Sequence, residues 1–384
     1  MNRLFYRKIR KLILHPKKYF IDYFYKKLNI KSLQDQINNQ NHRIAELNRM
    51  INILTVYTDH KGLQRGDLFV YANQDKIFPD DFIRAFRDKF YKALGYFPDL
   101  KNPKTFNEKV NWLKFHYFNP NESICADKST LKKYVSEHIG GEFVIPLIGI
   151  YEDVSDIDFE KLPEQVVFKN TASGMGRGVR VIRNKSDTDI DKLKFELNSV
   201  QFDWVKTDYL GMFNPKMRDV KMRLIAEEYI EQINGRVYDY KFFCFHGKAE
   251  FFYMKIPCDD TKSVADGKCF WPMYDREFKR TKFQFRRRAL PDTDPTPPPN
   301  FGQMLEVADK LSKEFPFVRI DLYSLHNKIY VGEISCCPDG GFSPFEKEVD
   351  DFLGDLLDLN KIDPKTLGHW EKGFKFVYDR DTRS

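Results

Sequence analysis

Apolar residues recur at intervals of three and four between Ile30 and Leu54, which is the spacing of a coiled-coil seam. Isoleucine occupies every first position of this repeat and leucine most of the fourth positions, with Gln40 as the one polar member. This arrangement favours a parallel two-stranded coiled coil whose register is fixed by the polar residue. We therefore expect residues 30–56 to form a coiled coil and the protein to be a homodimer through residues 30–54. A trimer, or a helix packed on the rest of the chain, would share the pattern.

Residues 1–29 place aromatic and aliphatic side chains among basic ones, and Pro16 divides them into two short helical patterns. They contain nine Lys or Arg and one acid, Asp22, a charge of +8 against +7 for the whole chain, so the other residues sum to −1. Such a segment is typical of an amphipathic helix on an anionic membrane surface. We expect peripheral association with the inner face of the cytoplasmic membrane. A solvated basic tail, or a helix packed on the rest of the protein, is the alternative. The near-neutral remainder gives no support for nucleic-acid binding.

The rest of the chain has the pattern of a cytoplasmic globular protein. No apolar run approaches the ~20 residues of a membrane span, and the six cysteines lack the spacing of a zinc site. From about residue 62 onward, strand and helix patterns alternate, which predicts a mixed α/β (α+β) fold. Residues 301–315 have helical spacing, and the Pro-rich stretch 291–299 before them predicts a loop.

The stretch VVFKNTASGMGRGVRVI, residues 166–182, contains three glycines at alternate positions between two apolar runs. It matches neither a Walker loop nor a dinucleotide fingerprint, because the run VRVI that follows predicts a strand rather than a helix. The pattern predicts a hairpin whose glycine turn can bring backbone N–H groups close to phosphate, with Lys169 adding positive charge. A glycine-rich hairpin that serves only as a turn is the alternative.

Acidic and basic residues lie within two consecutive predicted strands in FPFVRIDLYSLHNKIYVGEIS (315–335), on either side of a turn at residues 326–327. Arg319 and Asp321 share one face because side chains alternate along a strand. If the strands pair, Asp321 and Glu333 can approach one another, and two converging carboxylates favour a cation such as Mg²⁺ between them. Outward-facing strand carboxylates are the alternative.

A third stretch, LIAEEYIEQINGRVYDYKFFCF (224–245), predicts an acidic strand end, a turn, and a second strand that carries Asp239 and Lys241. The backbone N–H and C=O groups at an exposed strand end need hydrogen-bond partners. An adenine edge is one such partner, so this stretch is a candidate base-binding segment.

These stretches, together with NPKTFNEKVNWLKFH (102–116), ADKSTLKKYVSEHIG (126–140) and PDGGFSPF, resemble the TupA-like ATP-grasp family of bacterial surface-polysaccharide loci. The resemblance covers about residues 80–360. It implies an ATP-grasp fold, in which a nucleotide lies between two α+β subdomains. The implied parts of the catalytic region 62–384 are an N-terminal part (62–127), a lid with the glycine-rich flap (128–225) and a part that binds metal and nucleotide (226–384).

The resemblance also implies roles for single residues. Nucleotide binding is implied for Lys128, Lys169, Ser173, Gly174, Gly176, Arg177, Gly178, Glu227, Glu228, Ile230 and Asp239. Arg319 and Lys241 would be the catalytic residues, and Asp321, Glu333 and Ser335 the Mg²⁺ ligands. Ser335 departs from the family pattern, in which asparagine usually stands two residues after the second metal carboxylate, so the number of metal ions stays open.

The activity that the resemblance implies is an ATP-dependent ligation with ATP and Mg²⁺ as cofactors. A carboxylate attacks the γ-phosphate to give an acylphosphate, and an amine then displaces phosphate to form an amide. The implied substrates are an amino acid or amine and a uronic-acid-containing or lipid-linked polysaccharide, such as a capsule. No Ser/His/Asp or Cys/His arrangement is found in the sequence, which agrees with a reaction that needs no side-chain nucleophile. Phosphotransfer to a sugar hydroxyl, glycosyl transfer and a non-catalytic membrane scaffold are the alternatives.

Overall fold

The computed structural model describes residues 79–172, 178–203, 213–217, 220, 223–230, 239–257, 269–284, 293–371 and 375–379. All of these residues belong to the larger of two compact units, Leu63–Ser384. The expected membrane-surface segment (1–29) and coiled coil (30–56) lie outside the described residues, so both stay predictions. Within the described part, no helix is long and apolar enough to cross a membrane.

The described residues form helices and strands in alternation, as the sequence predicts. The α-helices are α1 (Pro79–Leu94), α2 (Phe106–His116), α3 (Asn121–Ala126), α4 (Lys128–His138), α5 (Ile190–Asp203), α6 (Phe301–Ser312) and α7 (Lys347–Leu356). The strands are β1 (Leu147–Tyr151), β2 (Val166–Asn170), β3 (Val179–Ile182), β4 (Leu224–Glu228), β5 (Asp239–Phe245), β6 (Lys248–Met254), β7 (Ile256–Pro257), β8 (Cys269–Phe270), β9 (Pro272–Asp275), β10 (Arg280–Gln284), β11 (Phe317–Leu325), β12 (Lys328–Ser335), β13 (Gly368–Glu371) and β14 (Lys375–Tyr378). Short 3-10 helices span Gly141–Phe143, Val154–Asp156, Pro215–Met217, Pro338–Gly341, Leu359–Lys361 and Pro364–Thr366.

The smaller of the two main sheets has four strands in the order β1-β4-β2-β3, and all neighbours are antiparallel. β2 and β3 pair from Val166↔Ile182 to Lys169↔Val179, which confirms the predicted glycine-turn hairpin. One face of this sheet packs against α5, where Leu193 and Leu197 join the buried Phe168. Burial of that face gives the small sheet a core of its own.

The larger sheet has six strands in the order β10-β9-β6-β5-β11-β12. β11 and β12 form the second predicted hairpin, with Asp321 opposite Glu333. Its turn residues His326 and Asn327 have φ of +48° and +60°, the left-handed conformation of a two-residue turn that matches the twist of a hairpin. The register shifts immediately after the Asp321 pair, where Leu322 lies opposite Val331 and one residue of β12 is left as a bulge.

Each face of the six-stranded sheet buries a different set of helices. On one face, α4 and α6 pack against strand residues such as Phe242 and Ile320. On the other face, α2 and α7 cover Phe243 and Phe317. The predicted lid begins at residue 128, whereas the buried side chains of α4 belong to the core of the six-stranded sheet. Helix α4 therefore lies on the side of the larger sheet.

Helix α7 approaches the start of α2 so closely that only glycine fits at residue 354. A Cβ on Gly354 would lie 2.3 Å from the backbone oxygen of Lys104 and 2.9 Å from the backbone nitrogen of Phe106. We expect Gly354→Ala to lower the free energy of unfolding by roughly 1–3 kcal/mol, measured by urea denaturation. In the matched control Gly302→Ala, no atom lies within 4 Å of the new Cβ, so the helix α6 should gain up to about 1 kcal/mol. Equal effects of the two changes would contradict the close packing.

Candidate active site

The face of the six-stranded sheet that α2 and α7 cover changes from apolar to charged along its strands. On β11, Phe317 is followed on the same face by Arg319 and Asp321. On the antiparallel neighbour β5, Lys241 precedes Phe243 on the same face. Arg319 pairs with Phe243, and Asp321 pairs with Lys241. The charged side chains thus lie on regular strands, next to buried aromatic side chains of the same face, rather than on a loop.

The charged residues of this face form one connected network. The Arg319 guanidinium binds both oxygens of Asp321, with Nε–Oδ1 and Nη2–Oδ2 distances of 2.6 and 2.8 Å, and Oε2 of Glu333 at 2.8 Å. Lys241 Nζ lies 2.6 Å from Oδ2 of Asp239 and also donates to Asp321. Asp321 is 1% exposed. Such buried charges are tolerated only because each has counter-charges in contact.

Burial and charge act in opposite directions on the two central carboxyls. Burial raises the pKa of Asp321 to about 6, although Arg319 and Lys241 act to lower it. Burial also acts to raise the pKa of Glu333, but the positive charges of Arg319 and Lys128 outweigh burial and hold this pKa at about 2. Burial disfavours the charged form of Lys241, yet Asp239 and Asp321 raise its pKa above the ordinary range. The surrounding cations thus favour the ionised form of Glu333, whereas burial shifts the pKa of Asp321 towards neutral pH.

Two of the three expected Mg²⁺ ligands fit a divalent cation. Asp321 and Glu333 face each other across paired strands, and carboxylate oxygens are ligands that Mg²⁺ prefers. The third, Ser335, lies opposite Arg319 at the end of β12. Among the described residues, no group of three or more His, Cys, Asp or Glu side chains is arranged to hold a metal ion. The protein can thus offer two carboxylates, which the Arg319 guanidinium bridges in this conformation.

A second charged group lies on the four-stranded sheet and α4. The Glu227 carboxylate is 3% exposed and is held between two lysines, with Lys132 Nζ at 2.6 Å and Lys169 Nζ at 2.5 Å. Lys169 is one of the residues that the sequence predicts. Lys132 was not predicted, although its position one helical turn after Lys128 on α4 is a signal that could have identified it.

The first turn of α4 is fixed to the ends of β2 and β4. Asp127 caps the helix by accepting from the N–H of Ser129, and its other oxygen binds Arg223 Nη2 at 2.9 Å. The Lys128 N–H donates to the Thr171 carbonyl, just after β2, at 2.9 Å. These bonds place Lys128 where the predicted glycine flap begins.

The two charged groups meet at one cleft. Burial lowers the pKa of Lys128, and Glu333 on β12 is the strongest charged neighbour that opposes this shift. A small cavity is lined by Lys128, Lys132 and Glu227 on one side and by Val331 and Gly332 of β12 on the other. Cations of α4 therefore border the segment of β12 that leads into Glu333.

The remaining predicted residues are distributed around this cleft. Glu228 is exposed at the end of β4, and Ile230 follows two residues later. The Gly178 carbonyl accepts from the N–H of Asn170, which closes the base of the flap at 2.9 Å. The flap residues Ser173, Gly174, Gly176 and Arg177 lie outside the described residues. Their roles, like those of the other site residues, stay predictions.

Comparison with known proteins identifies the class of this fold and site. The family model of the TupA-like ATP-grasp proteins matches residues 108–358. The chain belongs to the TupA-like ATP-grasp family. This match confirms the resemblance, the ATP-grasp fold and the prediction that the protein is an ATP-grasp enzyme.

Solved structures with partial similarity include two D-alanine–D-alanine ligases. The enzyme from Helicobacter pylori is 14% identical over 66% of this chain and 69% of its own, with a TM-score of 0.37. The enzyme from Bacillus anthracis complexed with ATP is 17% identical over 61% and 62%, with a TM-score of 0.33. N5-carboxyaminoimidazole synthetase from Staphylococcus aureus complexed with ADP is 14% identical over 56% and 45%, with a TM-score of 0.30. No curated protein matches the chain. Similarity at this level does not define the fold by itself, and the family match carries the assignment.

The ion pair of Glu333 should make stability depend on pH in a defined window. A carboxyl whose pKa is depressed from 4.5 to about 2 on folding stabilises the folded state fully above pH 4.5 and progressively less as pH falls towards 2. We expect the difference in unfolding free energy between wild type and Glu333→Gln to be constant above this window and to shrink within it. Urea denaturation at a series of pH values measures this difference. A difference that stays constant down to pH 2.5, about half a unit above the folded pKa, would contradict the assignment.

Proposed function

We propose that this protein uses ATP to join a carboxylate to an amine, and that the carboxylate belongs to a uronic acid of a bacterial surface polysaccharide. The observation that supports the proposal is a cavity lined by Lys128 and by Glu227, the carboxylate that also binds the predicted phosphate-binding Lys169. This cavity reaches Gly332, the residue just before Glu333, which in turn pairs with Asp321. Neighbouring cations and metal-binding carboxylates are what transfer of a phosphoryl group requires.

The residues of this chain supply positioning and charge. Lys128 and Lys169 are placed to neutralise phosphate oxygens of the nucleotide, and release of Lys169 from Glu227 would accompany this binding. Asp321 and Glu333 would hold Mg²⁺, which when bound neutralises charge on the phosphates. Arg319 is bound by both carboxylates on a rigid strand. Its guanidinium would stabilise charge that develops on the transferred group.

The proposed reaction has two steps. An oxygen of the substrate carboxylate bonds to the γ-phosphorus while the bond to the β,γ-bridging oxygen breaks, and ADP leaves with that electron pair. The nitrogen of a neutral amine then bonds to the acyl carbon, phosphate leaves with the electron pair of the C–O bond, and the nitrogen loses a proton. A closed flap over the cleft would exclude water, which otherwise hydrolyses the acylphosphate.

Replacement of the central carboxylate should strongly lower turnover, and circular dichroism establishes that the variant is folded. We expect Asp321→Asn to lower ADP release by roughly 100-fold or more, because it removes the charge that Arg319 and the metal share. The assay combines purified full-length protein, Mg-ATP, D-glucuronate or D-galacturonate, and hydroxylamine, which traps an acylphosphate as a coloured hydroxamate. Glu250→Gln, which loses only an exposed pair with Lys248, is the matched control.

The same assay separates the proposed ligase from the alternatives. Hydroxamate that forms only with a carboxylate supports ligation. ADP release with a neutral sugar but without hydroxamate would indicate phosphotransfer instead, and wild-type ADP release in the Asp321→Asn variant would contradict the site.

We also propose that the first 56 residues bring this activity to the membrane as a homodimer, on the cytoplasmic side. The support is the charge of +8 in residues 1–29 and the Ile/Leu repeat of residues 30–54. Basic residues are attracted to anionic lipid by about 1 kcal/mol each near the surface, and a substrate linked to lipid would be reached there.

Two deletions test this arrangement. Removal of residues 2–29 should abolish co-sedimentation with phosphatidylglycerol vesicles. The dimer should remain intact by light scattering, because the predicted coiled coil of residues 30–54 is retained. Removal of residues 2–56 should yield a monomer. Vesicle binding that survives the first deletion, or a dimer that survives the second, would contradict the corresponding assignment. Phosphatidylcholine vesicles are the control for the charge dependence.

A further inference from the structure

Helix α2 has a polar face that is fully buried. Asn107 and Asn111 have no exposed surface, and Lys114 is 1% exposed. The three residues are four and three positions apart, so they lie on one side of the helix. Buried amides and ammonium groups are costly unless they are hydrogen-bonded. Their partners therefore indicate why this face is polar.

All three side chains bind the backbone of one segment, residues 336–343, which is called the β12 loop below. Asn107 Nδ2 donates to the Ser343 carbonyl at 2.9 Å, and the Ser343 N–H donates back to Asn107 Oδ1 at 3.0 Å. Asn111 Nδ2 donates to the Gly341 carbonyl at 2.6 Å. Lys114 donates to the Gly340 carbonyl, and its ammonium lies 4.7 Å from the centre of the Phe342 ring. One face of α2 thus binds three backbone carbonyls of the loop, those of Gly340, Gly341 and Ser343.

The backbone that these bonds hold has an unusual conformation. Asp339, Gly340 and Gly341 have φ values of +49°, +67° and +73°. Three consecutive left-handed residues, one of them not glycine, are rarely stable without support from the surrounding structure. A Cβ at Gly341 would lie 2.7 Å from Asn111 Nδ2, so the loop and the helix are in direct contact. The polar face of α2 supplies the required support.

The position of the β12 loop relates it to the reaction. Along β12, the cleft-lining residue Gly332 comes first, the carboxylate Glu333 next, and the loop begins after Ser335. The β12 loop therefore continues directly from the strand end that carries Glu333 and Ser335. A loop that begins this close to the proposed metal ligands can set the position of a group that reacts beside them.

The hydrogen bonding of Asn111 indicates that stability alone does not explain this face. Its Oδ1 atom is buried and accepts no hydrogen bond from the described residues. A buried acceptor without a donor costs free energy of folding. An apolar residue would avoid that cost but would lose the bond to the Gly341 carbonyl.

We propose that Asn107, Asn111 and Lys114 are positioning residues for the acceptor substrate: they hold the β12 loop in the shape that admits the carboxylate to the reacting end of the nucleotide. The proposal rests on the ligase function proposed above. It assigns a role to the NPKTFNEKVNWLKFH stretch, which the phosphate-binding and metal-binding residues leave without one.

The test compares two lysines of the same helix in the full-length protein. Lys114→Met and Asn111→Ala each remove one bond to the β12 loop. Lys109→Met is the matched control, because Lys109 Nζ donates to a backbone carbonyl at 2.8 Å as well, but to that of Gly354 on α7. With D-glucuronate, D-galacturonate and hydroxylamine as probes, we expect the KM for the uronate to rise about tenfold or more in the two loop variants. The KM for ATP should stay within about twofold of wild type in all three.

A second measurement does not depend on the acceptor. Cys336 and Cys337 lie at the start of the β12 loop, half-buried and buried respectively. The rate of alkylation of Cys336, followed by mass spectrometry of the peptide, should rise about tenfold in the loop variants and not in Lys109→Met, because a loosened loop exposes the thiol. Cys337 is left out of this comparison, because burial raises its pKa while Lys114, which contacts it, acts to lower that pKa. Circular dichroism establishes that each variant is folded. If loss of the buried charge prevents Lys114→Met from folding, Asn111→Ala alone is compared with Lys109→Met.

The outcomes separate this proposal from the ligase function. Unchanged alkylation in both loop variants, or KM values for ATP and uronate that rise together, would overturn the positioning role. Wild-type protein that does not bind Mg-ATP by calorimetry, or ADP release that Asp321→Asn leaves intact, would instead remove the ligase function. Alkylation that rises only in the loop variants shows that the polar face of α2 holds the β12 loop, and a rise in KM for the uronate alone supports the role of this contact in the reaction.

Discussion

The buried ion network of Arg319, Lys241, Asp321 and Glu333 is the constraint on which the rest of the structure depends. Its charges come from three adjacent strands and compensate one another only in one register. A slip of one residue in either strand pair would turn a charged side chain to the opposite, apolar face and leave its partner buried without compensation. Burial of Phe243 and Phe317 on the same face of the sheet favours that register.

The network also explains how two sheets can share one site. Lys128 comes from α4, which packs on the six-stranded sheet, while its N–H is bonded to the end of β2 in the four-stranded sheet. The ammonium of Lys128 in turn interacts with Glu333. The first residue of α4 therefore connects the proposed phosphate-binding cations with the proposed metal-binding carboxylates. Because charges in a buried cleft interact more strongly than in water, a nucleotide that enters it would redistribute the existing ion pairs.

The sequence predicted the local features of this site correctly. The strand–turn–strand patterns at residues 166–182 and 317–335 were sufficient to predict both hairpins, because alternation and turn residues act over a few positions. Pairing across the second hairpin placed Asp321 opposite Glu333 as expected. Lys132 and the polar face of α2 were not predicted. Both depend on partners far away in the chain, Glu227 for Lys132 and the β12 loop for Asn111, and no local pattern encodes such a contact.

By itself the sequence determined the strands, the helices and the two hairpins that carry the candidate site, because hydrophobic periodicity and turn preference are properties of neighbouring residues. Only the tertiary structure decided which charges meet. Arg319 occupies the space between two carboxylates, Lys241 lies between Asp239 and Asp321, and the lysines of two different elements enclose Glu227. The physical reason is that the energy of a buried charge depends on distances to groups from other strands and helices. Those distances are set by the packing of whole sheets.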